Sequence, residues 1–470
     1  MPEKYTISIK TAPPRFQPVG KYTTIEFREQ CAGSCRECVK KRCVYDIFKE
    51  TRQHISTMDE PEFLYTCMSC FRCVQECTKG IFSRVINPEY RSLGDEYWRS
   101  DIIHRTWYQA HTGKIPVSGA GYRGPFVGRG FDSMWTDMSE IVRPTRDGIH
   151  GREYINTCIE LSRRKTPLIF TDDCMLAGDL PPIFEIPIPL LFQQPAFGIA
   201  SGKPLESIAR AAETLGTMLF IKADACSEYL HPYLQSIIPC LSGSELTAYT
   251  GLVNSCRVIE LADDASCDKA VASLRVSRPD LIVCVGTPLT RKAADRAVAI
   301  ARMGADTIHL YADDHGNEIG SERPRFLKEM IREVHLRLVK ERLRQRVKLI
   351  FSGGIAMAEH MAKAVICGAD GVTIDNSLLI ALECRLCRRC EKGKPCPVQI
   401  DTVEPEWGCQ RIMNLVGAWR NQLLEVMGAM GIREARRLRG EVGRSLWFED
   451  LERENFGPLF GERKVEGLGL

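Results

Sequence analysis

The sequence lacks the two kinds of segment that would direct it out of the cell or into a membrane. Its first residues contain neither the apolar core nor the small-residue cleavage site of a signal peptide. No run approaches the roughly 20 apolar residues that a membrane-spanning helix needs. We therefore expect a cytoplasmic protein that has no transmembrane segment.

The sequence also lacks an excess of charge of either sign. Lys and Arg number 63 against 60 Asp and Glu, so the formal net charge is only +3. A protein that holds nucleic acid through its overall field is more basic than this, and we expect no nucleic-acid partner. Hydrophobic residues make up 44% of the 470 residues, which is enough to form two or three folded domains.

Cysteine, by contrast, is abundant. The chain has 21 cysteines, and the reducing interior of a cell argues against disulfides between them. Twelve fall in three tight runs, whereas scattered ones such as Cys240, Cys284 and Cys367 lie in apolar stretches and are predicted to be buried thiols. The runs consist of Cys31, Cys35, Cys38 and Cys43; of Cys67, Cys70, Cys73 and Cys77; and of Cys384, Cys387, Cys390 and Cys396.

The second run has the C-x2-C-x2-C-x3-C spacing of bacterial ferredoxins, in which the fourth thiolate binds the neighbouring cluster. The first run is looser, with gaps of three and four residues at its two ends. We predict two 4Fe-4S clusters with crossed ligands, and uncrossed ligation is the alternative. The crossed sets are Cys31, Cys35, Cys38 and Cys77 for one cluster, and Cys67, Cys70, Cys73 and Cys43 for the other.

Zinc is the alternative metal, because four-cysteine zinc sites also use C-x2-C pairs. Zinc ribbons use two separated pairs rather than runs of four, and this difference favours iron–sulfur clusters in all three runs. The third run also carries basic residues that would attract an acidic donor such as ferredoxin, unless they form only a solvated loop. These residues are Arg385, Arg388, Arg389, Lys392 and Lys394.

Short apolar runs alternate with amphipathic helical segments from about residue 166 onward. Runs rich in Val, Ile and Leu without polar alternation are typical of strands that are buried on both faces. The alternation predicts an α/β fold, a (β/α)8 TIM barrel, with a doubly wound sheet as the alternative. The strand candidates are residues 189–192, 217–222, 257–261, 280–285, 306–311, 347–351 and 371–375.

The last two strand candidates end in segments that suit an anion. The first continues into Ser352, Gly353 and Gly354, and the second ends at Ile374 and Asp375 before a helix. TIM barrels commonly bind phosphate with the loops after strands seven and eight. Glycines there let backbone N–H groups approach the phosphate oxygens. The alternative is a tight turn that binds no ligand.

Two stretches carry a resemblance to a known family. "NPEYRSLGDEYW" (87–98) and "GAWRNQLLEVMGAMGIREARRLRGE" (417–441) resemble the iron–sulfur, FMN-binding glutamate-synthase-related proteins. In that family a two-cluster ferredoxin-like segment precedes the FMN-binding barrel. The resemblance implies four parts: a ferredoxin-like segment, a connecting segment, an FMN barrel ending in a third cluster, and C-terminal helices. Their ranges would be 1–90, 91–165, 166–400 and 401–470.

The resemblance also implies where the cofactors lie. "QPAFGIAS" (194–201) is similar to the segment under the flavin ring, which assigns Ala196, Phe197 and Gly198 to FMN. Residues 351–384 are similar to the FMN-phosphate region, and this adds Ser352, Gly353, Gly354, Ile374 and Asp375. The family has three cysteines after this region. Cys387 is an additional one, so we expect a 4Fe-4S cluster in place of the family's 3Fe-4S cluster, with a 3Fe-4S cluster as the alternative.

The sequence departs from the family at the substrate site. The stretches that would bind 2-oxoglutarate and carry a lysine toward the flavin read "VIELADDASCDK" (258–269), "IKADACSEY" (221–229) and "LIVCVGTP" (281–288). We therefore expect an electron-transferring FMN and iron–sulfur oxidoreductase subunit of a larger redox complex. The alternatives are an ammonia-dependent glutamate synthase that reduces 2-iminoglutarate, and a non-catalytic wiring or assembly subunit that has lost its flavin.

Overall fold

The computed structural model describes residues 5–16, 19–26, 72–78, 80, 82–115, 130–136, 154–162, 170–177, 184–198 and 202–461. The predicted ligands Cys31, Cys35, Cys38, Cys43, Cys67 and Cys70 lie outside these residues. Cys73 belongs to a short helix, and Cys77 follows it as a half-buried free thiol. The two N-terminal clusters therefore remain a prediction from the sequence.

Fourteen strands occur in the described part of the chain, and eight of them close into a parallel barrel in sequence order. The remaining six form antiparallel pairs outside the barrel, namely β1 with β2, β3 with β14, and β4 with β5. The strands are β1 Tyr22–Glu26, β2 Phe82–Ile86, β3 Met134–Thr136, β4 Ile159–Glu160, β5 Glu185–Ile186, β6 Leu190–Gln193, β7 Leu219–Lys222, β8 Ile237–Leu241, β9 Val258–Ala262, β10 Ile282–Pro288, β11 Thr307–Tyr311, β12 Lys348–Ser352, β13 Gly371–Ile374 and β14 Ser445–Trp447.

The closed barrel confirms the predicted fold class. Its last strand pairs with its first, with Val372 of β13 opposite Leu190 of β6, so the alternative of an open doubly wound sheet is wrong. The sequence candidates included seven of the eight barrel strands. The eighth, β8, has Pro239 at its centre and directly follows an irregular segment of 3-10 helix, residues Glu228–Ser236. Proline normally marks an edge strand or no strand.

The barrel strands are followed by helices that cover its outer surface, as in other (β/α)8 folds. The α-helices are α1 Arg72–Gln75, α2 Pro88–Arg91, α3 Ser100–Thr112, α4 Gly202–Leu215, α5 Thr250–Ser255, α6 Cys267–Ser277, α7 Ala293–Met303, α8 Leu327–Lys340, α9 Ala358–Cys367, α10 Asn376–Ala381, α11 Pro405–Ala429, α12 Ala435–Leu438, α13 Phe448–Leu451 and α14 Gly457–Phe460. None of the described helices is long and apolar enough to cross a membrane.

Helix α11 ties the N-terminal segment to the barrel. Its fully buried Arg411 donates from Nε to the Ala381 carbonyl at 2.6 Å and from Nη1 to the Ala12 carbonyl at 3.0 Å. Asn414, one turn further on, donates to the carbonyls of Lys10 and Ala110 at 2.7 and 2.9 Å. Buried polar side chains of this kind are costly when unpaired, so they fix one arrangement of the irregular N-terminal segment, α3 and α10 around α11.

A second buried network lies where strands β12 and β13 begin. Asp370, just before β13, accepts hydrogen bonds from Arg344 Nη2 at 2.8 Å, Arg439 Nη1 at 2.5 Å and the Leu349 backbone N–H at 2.7 Å. Burial alone would raise the pKa of Asp370, but the positive charges of Arg344, Arg439 and Lys348 hold it well below its usual range. The carboxylate therefore joins β12 and β13 to α12 as a permanent anion.

We predict that Asp370→Asn lowers the free energy of unfolding by about 3–5 kcal/mol, because it leaves the buried Arg344 guanidinium without its counter-charge. Urea unfolding at neutral pH measures the change. Because the folded-state pKa is depressed, this stabilisation is present above the unfolded pKa and is lost as the pH falls through the folded pKa. The control is Asp280→Asn, which breaks the exposed pair with Arg278 and should change the free energy by at most about 1 kcal/mol. Equal effects of the two substitutions would contradict the role of Asp370.

Candidate functional site

The residues assigned to the cofactor follow three adjacent strands at one end of the barrel. Ser352 ends β12, Ile374 ends β13, and Ala196 lies a few residues beyond β6. These three strands are neighbours in the closed barrel, so the segments come together at the carboxyl ends of the strands. Gly198 lies against Leu379 of α10, the helix that follows β13. This end is where TIM barrels place their active sites, and we call it the barrel mouth.

The glycine pair after β12 has a structural role in addition to any ligand. Gly353 and Gly354 have φ angles of +92° and +66°, which residues with a side chain rarely adopt. A Cβ on Gly353 would lie 2.3 Å from the Asp313 carbonyl oxygen, and one on Gly354 would lie 2.5 Å from the Gly316 nitrogen. The loop after β11, residues 312–316, therefore packs backbone to backbone against the pair. The simple tight-turn interpretation already explains the need for glycine.

Two polar groups beside the glycines bear on ligand binding. The Ser352 hydroxyl is buried and has no hydrogen-bond partner among the described residues. Such an orphaned buried hydroxyl is uncommon, because leaving it unpaired costs free energy. Asp375 accepts from the Asn376 backbone N–H at 2.5 Å and so begins helix α10. Burial, together with the negative charge of Asp314, raises the pKa of Asp375.

A segment from far upstream closes over the mouth. Residues Asp95–Trp98, which we call the strap, reach the loop after β11 and the glycine pair. The Tyr97 hydroxyl donates to the Gly354 carbonyl, and Trp98 Nε1 donates to the Asp314 carbonyl at 2.7 Å. The Tyr97 ring stacks on His315 with 5.6 Å between the ring centroids. The sequence analysis used this stretch only as a mark of resemblance, and its contacts with the mouth were not predicted.

An ion pair fixes the N-terminal end of the strap. His315 Nε2 lies 3.0 Å from Asp95 Oδ2, and the Tyr97 and Trp98 backbone N–H groups donate to Asp95 Oδ1 at 2.8 Å each. Burial opposes ionisation of Asp95, yet these hydrogen bonds lower its pKa to about 2. The hydrogen bond to Asp95 raises the pKa of His315. Both shifts favour the charged pair, so the strap is held to the loop after β11 electrostatically as well as by stacking.

The third cysteine run wraps around a cavity beside the mouth. All four thiols line this cavity of about 290 Å³, together with Ala196, Phe197 and Gly198 of the segment after β6. As they stand, no three Cys, His, Asp or Glu side chains in the described residues are arranged to hold a metal ion. The structure thus brings the predicted cluster ligands and three predicted flavin contacts to one cavity, without itself demonstrating a metal.

The backbone of this run is held in an unusual conformation. Leu386 and Arg388, on either side of Cys387, have φ angles of +48° and +49°. Residues with side chains adopt this left-handed region only at a cost, and such strain concentrates at ligand sites. The Leu386 N–H also points at the Cys384 sulfur, 3.4 Å away. Burial, followed by the three neighbouring thiols of the run, raises the pKa of Cys384 to about 12.

Arg388 connects the cysteine run to both other parts of the mouth. Its guanidinium forms an ion pair with Asp314 of the loop after β11 and lies over the Phe197 ring, 4.6 Å from the centroid. The neighbouring Arg385 carbonyl accepts from the Gly94 N–H at 3.2 Å, directly before the strap. Of the basic residues in this run, Arg388 is therefore paired within the protein rather than presented to a partner. The sequence indicated a basic loop but could not assign Arg388 to Asp314, since 74 residues separate them.

Comparisons with known proteins connect this architecture to one family. Residues 260–433 match the family model described as "Conserved region in glutamate synthase". The archaeal-type glutamate synthase [NADPH] of Dehalococcoides mccartyi is 23% identical over 89% of this chain and 94% of its own length. The archaeal glutamate synthase [NADPH] of Archaeoglobus fulgidus is 24% identical over 92% of this chain and 96% of its own.

Solved structures with a similar course of the chain include mandelate oxidase with benzoyl-formic acid. That structure is 14% identical, with a TM-score of 0.40, and the match covers 65% of this chain and 97% of the oxidase. No conclusion is drawn from a match at this level, and the barrel fold rests on the strand pairing alone.

We predict that Gly354→Ala destabilises the protein more than Gly320→Ala does. Both glycines have a positive φ, of +66° and +77°, so both substitutions carry the cost of the left-handed backbone, about 1–2 kcal/mol. Nothing lies within 4 Å of a Cβ on Gly320, whereas a Cβ on Gly354 meets the Gly316 backbone. The overlap should add about 1–3 kcal/mol. Chemical unfolding of both variants measures the difference, and equal losses would show that the loop after β11 yields freely.

Proposed function

The chain is a glutamate-synthase-related protein, and on that premise we propose that it is an electron-transferring oxidoreductase with FMN at the barrel mouth. A third iron–sulfur cluster, bound by the run Cys384–Cys396, passes electrons between this flavin and the N-terminal clusters. The observation that carries the proposal is the shared cavity, which is lined both by the four thiols and by Phe197. Cofactors bound at these two sets of residues would be direct neighbours.

The residues proposed to hold FMN are those that the mouth brings together. The backbone of Ala196, Phe197 and Gly198 would lie along the ring system, and Ser352 would donate its unpaired hydroxyl to the ligand. Gly353, Gly354, Ile374 and Asp375 complete the assignment at the ends of β12 and β13. A bound flavin supplies two-electron chemistry to a substrate and one-electron exchange to clusters, and it takes up protons when fully reduced.

The third cluster is proposed to be a 4Fe-4S cluster rather than a 3Fe-4S cluster. Cys387, the cysteine additional to the family pattern, lines the same cavity as Cys384, Cys390 and Cys396. Four thiolates satisfy all four irons of a cubane. The Leu386 N–H beside the Cys384 sulfur suits a thiolate ligand, because hydrogen bonds to cluster sulfurs help to set the reduction potential.

Electrons would reach this cluster from the two predicted N-terminal clusters. The chain that follows the second cysteine run passes through β2 and α2 to Gly94, which bonds to the Arg385 carbonyl of the third run. The strap thus begins beside the third cysteine run and ends on the mouth. We propose that the N-terminal segment receives electrons from other subunits of a redox complex or from a ferredoxin in the cytoplasm.

Ammonia-dependent glutamate formation, with reduction of 2-iminoglutarate, is the second candidate. Relatives named as glutamate synthases extend along about nine-tenths of this chain, and this favours a retained reaction. Turnover with 2-oxoglutarate and ammonia separates it from the first candidate. A non-catalytic subunit, the third candidate, would be purified without a flavin absorption band.

We predict about twelve irons per chain in anaerobically purified protein, since each of three runs supplies four thiolates. Cys390→Ser should lower this to about eight and leave the flavin bound, because the serine removes one soft thiolate from the third cluster only. Metal analysis and the flavin absorption band measure both quantities. Rapid-mixing reduction should then show slow electron exchange between the flavin and the N-terminal clusters.

Cys174→Ser is the matched control, since Cys174 is an exposed free cysteine outside the three runs. It should retain the full iron content and the rapid reduction of the flavin. Zinc in place of iron, or undiminished flavin reduction after loss of the third cluster, would refute the proposed electron path.

We predict that Ser352→Ala weakens FMN binding by about fivefold to tenfold, as expected for the loss of one hydrogen bond of about 1 kcal/mol. Fluorescence titration of flavin-depleted protein measures the affinity. This variant tests the site more cleanly than a change at Gly354, which would disturb the loop after β11 with or without a ligand. The control is Ser207→Ala, because the buried Ser207 hydroxyl already donates within helix α4, to Lys203 at 2.9 Å. Equal affinities of the two variants for FMN would show that the Ser352 hydroxyl does not contact the flavin.

A further inference from the structure

The interior of the barrel contains an acid–base pair that the proposed electron path does not use. Glu260 lies at the middle of β9 and His309 at the middle of β11, and both are almost completely buried. His309 Nδ1 lies 2.5 Å from Glu260 Oε2, which is a short, direct hydrogen bond. The interior of a TM barrel of this type, a (β/α)8 barrel, is normally filled by Val, Ile and Leu.

The neighbouring strand is shaped around this carboxylate. A Cβ on Gly286 of β10 would lie 2.8 Å from Glu260 Cδ, so the absence of a side chain there provides the space that the carboxylate fills. Cys284, two residues earlier on the same strand, directs its thiol toward Glu260 Oε2 at 3.8 Å. The sequence thus accommodates a buried charge that well-packed apolar residues would replace without loss of stability.

The second ring nitrogen of His309 is not hydrogen-bonded. His309 Nε2 is buried and has no hydrogen-bond partner among the described residues. The Phe220 ring packs on the imidazole from across the barrel, with 4.5 Å between the centroids. Tyr311 follows two residues later on β11, with its ring 6.1 Å away, and it is only half-buried at the mouth. Glu260, His309 and Tyr311 thus follow one another from the middle of the barrel toward its mouth, although no hydrogen bond joins His309 Nε2 to the Tyr311 hydroxyl. We call these three residues the polar column.

We propose that Glu260 and His309 form a buried proton reservoir for the reaction at the barrel mouth, with Tyr311 as the group that relays the proton. The inference rests on the proposed function, because it is the flavin reaction that requires protons. Iron–sulfur clusters deliver electrons alone, so the protons of a two-electron reduction have to arrive by a separate route. Within the described interior of the barrel, this column offers such a route.

The transfer balances without any oxidant or reductant. A bridging water accepts the Nε2 proton of His309 and gives a proton to the Tyr311 oxygen, and Tyr311 passes its own hydroxyl proton to the ligand, so that the imidazolium becomes a neutral imidazole and Glu260 stays a carboxylate. No electron moves among these three residues. Protonation of His309 from solvent through the same hydroxyl restores the starting state. Glu260 acts through His309 and is a positioning residue.

The groups that face the column do not compete for its proton. Burial, with the charge of Glu260 next, raises the pKa values of Cys240 and Cys284 well above their usual value, so both thiols stay neutral. Burial also raises the pKa of Tyr311. The nearby carboxylates already have partners, since Asp263 is paired with Arg296 and Asp306 with Arg275.

The first experiment follows His309 directly by nitrogen NMR of oxidised protein labelled at histidine. The chain has only nine histidines, so the resonance that disappears in His309→Gln identifies the residue. We expect Nδ1 to carry a proton in the wild type, because it is hydrogen-bonded to the Glu260 carboxylate, and this preference to be lost in Glu260→Gln. An Nδ1 without a proton in the wild type would overturn the pairing.

The second experiment measures the rate of proton uptake during flavin reduction, using a pH indicator. Glu260→Gln should slow uptake by about 100-fold, a usual contribution of a positioned acid–base group. Glu245→Gln, the same change on the exposed loop after β8, should leave the rate unaltered. An unchanged rate in Glu260→Gln would contradict the proposal.

Two further measurements keep the outcome decisive. If Glu260→Gln does not fold, Glu260→Asp retains the charge on a shorter side chain, and it should show an altered pH profile of proton uptake together with the wild-type Nδ1 preference. A wild-type pH profile in Glu260→Asp would count against the column. If the protein binds no flavin, the absorption band is missing and the proposed function fails, whereas the NMR result still decides whether the pair holds a proton.

Discussion

The candidate site depends on one close approach, that of the loop after β11 to the glycine pair after β12. The two backbones pass so near each other that a Cβ on either glycine would overlap the backbone of the loop unless the loop shifted. The strap bonds to both partners of this contact, to Gly354 and to Asp314, and Arg388 adds the third cysteine run to the same loop. The strap, the glycine pair and the third cysteine run, which are distant in sequence, thus all contact the five-residue loop 312–316. The geometry of the mouth is set by that loop rather than by the barrel strands alone.

The barrel was predictable from the sequence because its strands are nearly continuous apolar runs. A strand such as β12, buried along its whole length, leaves the same mark in any parallel barrel. Strand β8 was not predicted, because Pro239 interrupts its run of apolar residues. In the closed barrel β8 nevertheless pairs with β7. The predicted residues after β6, β12 and β13 converge because parallel strands end on the same side.

The rest of the site could not be read from the sequence, because it depends on contacts between distant segments. Nothing near Tyr97 indicates that its hydroxyl reaches Gly354, 257 residues away. Likewise Glu260 was noted only as part of a stretch that departs from the family, and His309 only as part of an apolar run. Their pairing requires the curvature of a closed barrel, which turns inward two side chains that a linear pattern treats as separate polar interruptions.

The strap has a consequence for how the protein matures. Its Trp98 side chain is almost completely buried in the same apolar core as the barrel, and the Asp95–His315 ion pair and the hydrogen bond from Tyr97 add to this attachment. We therefore expect the strap to unfold together with the barrel core rather than separately from it, so that a molecule too large for the closed mouth would have to enter before this core is complete.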